Sequence, residues 1–298
     1  MKKLLMNLAI IMAATALFSC AGNAESTADG TDSSATEQAT SSVNPWPWDF
    51  PQNVKLEAEP DQMILAPYTF YPGALEDGKN PAEQTLIFYS TKMTEVGESK
   101  SKVNTDVELP NALIIPLAKE AQAKKGDIVL TWWQSGSGLK RAIVKDASDP
   151  SAPKVDYLDM EYGDDPENPG FAQKFADDPL KPGTFNIITD GEWQPGAQVA
   201  CKNDRDGWDA ATLIREQDGK VLVIGFSSKV KAYKKEDVKL IPFKEDLKVG
   251  DDVRAIWVTG YQDGYKITKI DKNLGRIWVE RDGKTEVKAF GEVTKVLN

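Results

Sequence analysis

Histidine is absent from this chain of 298 residues, and cysteine occurs only twice, as Cys20 and Cys201. Without histidine, neither a Ser-His-Asp nor a Cys-His catalytic group can form, and histidine-bearing metal sites are excluded. Two cysteines cannot build a four-thiolate zinc cage. No glycine-rich phosphate loop follows a predicted strand. Paired carboxylates remain as a route to catalysis, but 46 acidic residues produce such pairs by chance, so we expect no enzyme activity, no metal and no cofactor.

Long apolar runs are also missing, except for one at the N-terminus, from Leu4 to Leu17, behind two lysines. This pattern is typical of a secretory signal, which we place at residues 1–19. The sequence Leu17-Phe18-Ser19-Cys20 resembles the cleavage motif of bacterial lipoproteins of the Bacteroidota kind, which implies that Cys20 is lipidated. A plain cleaved signal and an anchor helix are the alternatives, although the run is short for a membrane span.

A lipidated Cys20 would attach the chain to a bacterial membrane, for which we expect the outer membrane, facing the periplasm or the cell surface. Residues 20–43 lack aromatic residues and contain Val43 as their only large aliphatic side chain. Such a segment cannot bury enough apolar surface to fold, so we predict a disordered tether. Cys201 then has no disulfide partner, and we expect its thiol to be buried in the strand after Gly196.

Basic residues are fewer than acidic ones, and the formal net charge is −10. The acidic excess lies before position 195, because residues 195–298 hold 20 basic and 17 acidic residues. An acidic surface repels phosphates, so nucleic acid is not an expected partner. The acidic cluster at 204–209 has glycine in fourth position, whereas a calcium loop of the EF-hand type requires it in the sixth. We interpret this cluster as a hairpin turn.

Prolines interrupt an aromatic stretch that follows the tether, Asn44-Pro45-Trp46-Pro47-Trp48-Asp49-Phe50-Pro51. Proline at this density excludes a helix and a central strand, so residues 44–61 are predicted to be extended. We expect the three aromatic rings to dock on the first domain as a clasp. A tip that binds a sugar or a partner is the alternative.

A recurring pattern joins a glycine to a short strand with valine at its centre. It reads Gly126-Asp127-Ile128-Val129-Leu130, Gly196-Ala197-Gln198-Val199-Ala200 and Gly250-Asp251-Asp252-Val253-Arg254. Such repeats indicate copies of one small unit, and short apolar runs between turn residues predict an all-β fold. A similar unit ending at 110–116 adds an earlier copy. We infer four units, called units 1 to 4 below, at 62–118, 122–190, 193–245 and 247–298.

Asp-Gly pairs mark the predicted hairpins, because they supply the positive φ angles of tight turns. Asp206-Gly207 and Asp263-Gly264 occupy matching places in units 3 and 4, and Asp218-Gly219 and Asp282-Gly283 are expected to form the next hairpin in each. The two units also end alike, in Val230-Lys231-Ala232-Tyr233 and Val287-Lys288-Ala289-Phe290.

Unit 3 resembles a Tudor-type barrel in its turns and strands. The matching residues are Gly196, Val199, Ala200, Gly207, Trp208 and the closing segment Asp237-Val238-Lys239-Leu240-Ile241-Pro242. Units 2 and 4 follow the pattern less closely. The resemblance implies tandem small Tudor/SH3-like barrels after the tether, with unit 1 as a possible further barrel. Closing a small sheet removes its exposed edges, and neighbouring barrels can share interfaces.

Tudor barrels hold methylated cations in an aromatic cage through cation–π attraction, and the resemblance implies ligand binding at the barrel ends. The candidate residues are Trp132, Trp133, Tyr157, Asp159, Trp208, Phe226, Trp257, Tyr265 and Trp278. The cage pattern changes at two places, where Lys202-Asn203 replace an aromatic residue and Ser227-Ser228 replace an Asp-Tyr pair. Rings that fill cores and interfaces between barrels are the alternative.

We therefore expect a non-catalytic lipoprotein of the cell envelope that binds or scaffolds a protein or peptide. Carbohydrate or cell-wall glycan binding through exposed rings is the alternative, and an envelope enzyme with paired carboxylates is third. Ring exposure distinguishes the first two. A flat row of rings suits a glycan, whereas a cage beside a carboxylate such as Asp159 suits a cationic side chain.

Overall fold

The structure is a computed structural model, and it describes residues 46–67, 84–104, 107–132, 138–165, 167–174 and 178–297. The predicted signal peptide, Cys20, the tether and Trp133 lie outside the described residues. Within the described ranges, no helix is long and apolar enough to cross a bilayer. The fold is nearly all β, which confirms the predicted fold class.

Short runs rich in β-branched and aromatic residues form the strands of units 1 and 2. Unit 1 contains β1 (Met63–Pro67), β2 (Phe88–Glu95), β3 (Lys100–Val103), β4 (Val107–Pro110), a 3-10 turn (Asn111–Leu113) and β5 (Ile115–Pro116). Unit 2 contains β6 (Ile128–Trp132), β7 (Leu139–Asp146), β8 (Lys154–Tyr157), the short helix α1 (Phe171–Lys174) and β9 (Asn186–Ile188).

Units 3 and 4 are built in the same way. Unit 3 contains β10 (Gln198–Lys202), β11 (Trp208–Gln217), β12 (Lys220–Ile224), a 3-10 turn (Phe226–Ser228), β13 (Val230–Lys234), a 3-10 turn (Lys235–Asp237) and β14 (Val238–Leu240). Unit 4 contains β15 (Asp252–Trp257), β16 (Gly260–Asp271), β17 (Arg276–Arg281), β18 (Lys284–Ala289) and β19 (Val293–Thr294).

Each unit is an antiparallel meander whose last strand returns to pair with its first. The strand orders are β4-β3-β2-β1-β5, β8-β7-β6-β9, β13-β12-β11-β10-β14 and β18-β17-β16-β15-β19. Units 3 and 4 are further joined into one sheet, because Trp208 and Asp209 of β11 pair with Tyr261 and Gly260 of β16. The start of β11 therefore lies beside the β15–β16 hairpin.

One backbone arrangement recurs where the first strand of each unit begins. A residue with positive φ donates its N–H to the carbonyl of a residue in the second strand. The N–H of that second-strand residue donates in turn to the carbonyl of the residue that follows the positive-φ residue. The positive-φ residues are Asp61, Gly126, Gly196 and Gly250, and their acceptors are Met93, Val144, Leu213 and Ile267. The repeat glycine is thus a left-handed residue that fixes the second strand, and aspartate takes its place in unit 1.

A β-bulge follows at the same place in every unit. It begins where the second strand pairs with a buried valine of the third strand, and the valines are Val103, Val155, Val223 and Val279. A bulge bends its strand and increases the local twist. This curvature helps a short sheet to bring its last strand beside its first.

Strands β6 and β12 are buried on both faces, because one face packs on the core of the strand's own unit and the other on a core shared by all four units. In β12, Val221 and Val223 belong to the core of unit 3, whereas Leu222 and Ile224 join the shared core. In β6, Val129 belongs to the core of unit 2, whereas Ile128 and Leu130 join the shared core. Burial on both faces explains why these runs lack the alternation of a half-exposed strand.

A buried polar network, called the interunit network below, joins units 2, 3 and 4. The guanidinium of Arg141 donates to both carboxylate oxygens of Asp159 and to Oε1 of Gln198. The Gln198 amide donates to the hydroxyl of Tyr261 at 3.0 Å, and that hydroxyl donates to the carbonyl of Gly291. Buried polar groups that are paired in this way specify one arrangement of the elements that carry them.

The aromatic segment (residues 46–50) is buried against the shared core, and its hydrogen bond reaches unit 3. Trp46, Trp48 and Phe50 are all buried, and the Trp48 indole donates to the carbonyl of Val230 at 2.7 Å. The segment docks, as the sequence suggested, but this bond is to unit 3 and not to the first domain. Buried rings provide no exposed tip for a sugar or a partner.

Two of the Asp-Gly turns expected in unit 4 do not lie at the positions that match those of unit 3. Asp218-Gly219 and Asp282-Gly283 both form two-residue hairpins with positive φ at each residue. However, the former joins the second and third strands of its unit, and the latter joins the third and fourth. Asp263-Gly264 lies inside β16, near a register shift, and Val258-Thr259 forms the β15–β16 turn.

Candidate functional site

Unit 3 opens into a cavity of about 300 Å³. Its walls come from one face of the sheet, because directly opposed residues point to the same side. Cys201 opposes Asp209, and Val223 opposes Lys231. Tyr233, two residues beyond Lys231, also lines the cavity and packs against the core of unit 3. The cavity is therefore an opening of the unit's own interior, with an apolar base and polar side chains around it.

Two strained loops lie at the cavity. Phe226 and Ser227 come from the β12–β13 turn, and Thr259 comes from the β15–β16 turn of unit 4. Ser227, Ser228 and Val258 have φ values of 56°, 55° and 58°, which is unfavourable for residues with a Cβ and most of all for a β-branched one. Strained backbone of this kind clusters at ligand-binding sites.

Backbone hydrogen bonds hold both loops. Leu86 of unit 1 donates its N–H to the carbonyl of Ser228 at 2.9 Å, and Gly225 donates to the carbonyl of Lys229 at 2.9 Å. Ala210 donates to the carbonyl of Thr259 at 2.9 Å. Each loop is thus held by an element outside it, which fixes the cavity mouth before a ligand arrives.

Exposed apolar side chains concentrate on these two loops. Phe226 is 62% exposed and Val258 is 64% exposed, and Trp257, which precedes the second turn, is 53% exposed. Large apolar groups that remain in water beside a cavity characterise surfaces that bind a partner or ligand. Phe226 is the one of these three that lines the cavity.

The charges around the cavity are mostly positive. Lys229, Lys231 and Asp209 are the charged residues among those that line it. The Asp209 carboxylate accepts a hydrogen bond from the Asn203 amide at 2.8 Å. The raised pKa of Tyr233 has burial as its main cause, with the nearby thiol of Cys201 and the Asp209 carboxylate adding to it, so this hydroxyl stays protonated and can donate a hydrogen bond.

A second, more polar cleft of about 570 Å³ lies between units 3 and 4 and shares Asp209 and Thr259 with the cavity. The β10–β11 loop supplies one side, and Arg254 and Gln262 supply the other. The Nε atom of Arg254 is buried and has no hydrogen-bond partner among the described residues. The cleft and the cavity therefore meet at Asp209, at the start of β11.

Three of the rings predicted to bind a ligand are buried, and the chain's own cations lie over two of them. Tyr157, Tyr265 and Trp278 are buried. The ammonium of Lys269 lies 3.8 Å from the ring centre of Trp278, and the guanidinium of Arg281 lies 4.8 Å from that of Tyr265. These rings fill the protein interior and present no open face to a ligand.

The remaining predicted residues are divided between packing and the cavity. Asp159 is bound to Arg141 in the interunit network, so it does not serve as a cage carboxylate. Trp132 packs against the shared core, and Trp208 packs at the contact between units 3 and 4. Phe226 lines the cavity, and Trp257 is exposed on the hairpin beside it.

The sequence did not single out the polar residues of the cavity, which are Asp209, Lys229, Lys231 and Tyr233. A signal for them exists at β13, where Lys231 and Tyr233 lie opposite Val223 and Val221 of β12, and Lys229 directly precedes the strand. Val230 and Ala232 pack on the shared core while Lys231 is exposed, so the alternation of β13 marks the face that borders the cavity.

The expected hairpin replaces a calcium loop at 203–207. Asn203 accepts hydrogen bonds from the backbone N–H groups of Arg205 and Gly207 through its amide oxygen. Among the residues that the structure describes, no three acidic or cysteine side chains are grouped as metal ligands would be. The side chain of Asn203 therefore organises a turn.

Cys201 at the cavity base is buried, as predicted. Burial raises the pKa of its thiol to about 12. We expect Cys201 in a Cys20→Ser chain to react with a disulfide reagent at pH 8 roughly a thousand times more slowly when folded than in urea, because the thiolate is the reactive form. Equal rates in the two conditions would contradict the buried placement.

Comparison with known proteins gives no assignment for this arrangement. No protein-family model matches the chain, and no curated protein matches it at a significant level.

Proposed function

We propose that this chain is a non-catalytic binding module of the bacterial cell envelope, anchored through a lipid on Cys20. It holds a segment of a protein or peptide partner at the cavity of unit 3. One observation carries the proposal. The cavity has an apolar base, polar walls and an exposed aromatic side chain, Phe226, on a loop with strained backbone.

The dimensions support a small part of a partner as the bound group. A cavity of about 300 Å³ is at the lower end of the range for ligand sites, so it suits a side chain and not a large cofactor. Aromatic side chains that a partner buries near the centre of an interface commonly supply much of its binding energy. Phe226 and the neighbouring Val258 would cover the partner's main chain.

Removal of the Phe226 ring tests this proposal. We expect Phe226→Ala to weaken partner binding at least tenfold, because an aromatic anchor contributes about 2 kcal/mol or more. The partner is first trapped in intact cells by a photo-crosslinking amino acid at position 226, identified, purified and titrated against the mature chain.

Val249 is the matched control, since it is 64% exposed and lies outside the cavity lining. Val249→Ala should leave the affinity unchanged, and a crosslinker at 249 should not trap the same partner. Identical adducts from both positions, or none from position 226, would refute the proposed site.

Carbohydrate binding is the second candidate, and the polar cleft between units 3 and 4 favours it. Asn203, Arg254 and Gln262 line this cleft and can donate hydrogen bonds to hydroxyl groups. Titration with cell-wall glycan fragments distinguishes the two functions. Glycan binding that is lost in Gln262→Ala and retained in Phe226→Ala would favour the cleft over the cavity.

A further inference from the structure

We infer that the cavity of unit 3 selects an acidic peptide segment, with one apolar side chain in the cavity and a carboxylate at Lys229 and Lys231. This inference rests on the proposed function and specifies its ligand. It runs against the methylated cation that the Tudor resemblance implies, because the charges that line the cavity are two lysines and one aspartate.

The two lysines are available to a ligand. Ion pairs of unit 3 use Lys220, Lys234 and Lys235. Lys229 and Lys231 form none within the described part of the chain, and both line the cavity, Lys231 from β13 and Lys229 from the loop before it. Two unpaired ammonium groups at one opening attract an anion, and they oppose a trimethylammonium group.

Units 1 and 4 carry no such free charge at the corresponding position. Lys231 lies opposite Val223, the valine at the bulge. The residue opposite the corresponding valine is Val107 in unit 1 and Glu286 in unit 4. Glu286 is paired with Lys288 at 2.6 Å. One structural position thus carries a packed valine, a neutralised glutamate and, in unit 3, a lysine without a counter-charge.

The groups around the lysines suit a carboxylate next to an apolar side chain. Tyr233 presents a protonated hydroxyl and Ser227 a second one, and both line the cavity with the lysines. Val223 and Phe226 supply apolar surface at the same opening. Asp209, the single acid among the described residues of the lining, already accepts a hydrogen bond from Asn203. The arrangement therefore offers donors to an anion and contact area to its apolar neighbour.

Three short peptides test the inference on the mature chain with Cys20→Ser. All three are acetylated. They are Gly-Glu-Leu-Glu-Gly, its glutamine counterpart Gly-Gln-Leu-Gln-Gly, and a peptide of glycine, leucine, trimethyl-lysine and glycine in that order. We expect the acidic peptide to bind at least tenfold more tightly than the other two, since each charge-assisted hydrogen bond is worth about tenfold or more. Amide resonances of Ser227 and Lys231 should shift on titration.

Charge reversal within the chain supplies the control. Lys231→Glu should weaken binding of the acidic peptide more than tenfold. Lys284→Glu introduces the same change at the start of β18, which is the position in unit 4 that corresponds to Lys229, and should leave binding unchanged. Retained thermal unfolding midpoints show that both variants fold.

The outcomes separate this inference from the proposed function. Tighter binding of the trimethyl-lysine or glutamine peptide, with shifts at Ser227, would overturn the acidic preference and leave peptide binding in place. Failure of all three peptides to shift these resonances overturns the inference. In that case, a crosslinked partner whose affinity depends on Phe226 would still support the proposed function.

Discussion

Replacing Arg141 with alanine is expected to destabilise the folded chain by about 3–5 kcal/mol, the cost of breaking a buried ion pair by removing one partner. Arg141 is buried, and its guanidinium holds Asp159 of unit 2 and Gln198 of unit 3. Without it, the carboxylate of Asp159 and the amide oxygen of Gln198 lose their strongest donor. The hydrogen bond from Arg141 of unit 2 to Gln198 of unit 3 is lost at the same time.

Urea unfolding of the two proteins measures this effect, and an exposed ion pair provides the comparison. Lys100 and Glu108 lie 3.2 Å apart, and both side chains are more than half exposed. Lys100→Ala should therefore change the free energy of unfolding by less than about 1 kcal/mol. If both substitutions cost the same, the interunit network does not hold the units together.

The loss caused by Arg141→Ala should also shrink in acid. Burial alone would raise the pKa of Asp159, but the charge and hydrogen bonds of Arg141 lower it below its ordinary value. A lowered folded-state pKa gives stability that is present above the unfolded value of about 3.9 and lost as the pH falls through the folded value. Burial raises the pKa of Glu292, so its contribution to stability changes with pH in the opposite direction to that of Asp159. This contribution is present in both proteins.

The recurring backbone arrangement was readable from the sequence because a local requirement leaves a visible residue. Gly126, Gly196 and Gly250 each need positive φ, and glycine meets that need without strain. Unit 1 was the hardest to recognise, since Asp61 adopts the same conformation without a glycine. Aspartate tolerates positive φ better than most residues, so the structural role persisted where the sequence pattern did not.

Which residue of unit 3 corresponds to which residue of unit 4 was harder to predict, because the turns before β13 and β18 differ in length and shift the pairing of the strands. A two-residue turn at 282–283 leads into β18, whereas five residues, 225–229, lead into β13. As a result, Lys231 corresponds to Glu286 and not to Lys288, and the similar endings of the two units are out of register by two residues. Short sequence likeness cannot detect such a shift when the strands alternate similar residues.

The aromatic candidates show why a site is harder to derive than a fold. Trp278 and Phe226 look equally suitable in the sequence, but Trp278 is buried and Phe226 is exposed. The difference arises because residues of unit 2 cover Trp278. The ring centre of Tyr162 lies 6.2 Å from that of Trp278, and the Trp278 indole donates to the Asp164 carboxylate at 3.0 Å. Which faces are covered depends on contacts between units distant in sequence, and no local pattern encodes them.

Gly196→Ala is expected to cost about 2–5 kcal/mol, which is more than the same change at the other repeat glycines. All three glycines have φ near +90°, where a Cβ costs about 1–2 kcal/mol. At Gly196, that Cβ would also lie 2.9 Å from Cδ1 of Ile188 and 3.0 Å from Cβ of Leu130. Overpacking of this kind adds about 1–3 kcal/mol.

Gly126→Ala and Gly250→Ala are the controls, because no atom lies within 4 Å of a Cβ built at either position. Each should lose about 1–2 kcal/mol in urea unfolding. Removing the Cδ1 atom in an Ile188→Val background should return part of the additional loss at Gly196, and the double-mutant cycle gives its size. Equal losses at all three glycines, with no coupling to Ile188, would mean that units 2 and 3 can separate enough to admit a methyl group. In that case the units would be joined more loosely than the close contact at Gly196 indicates.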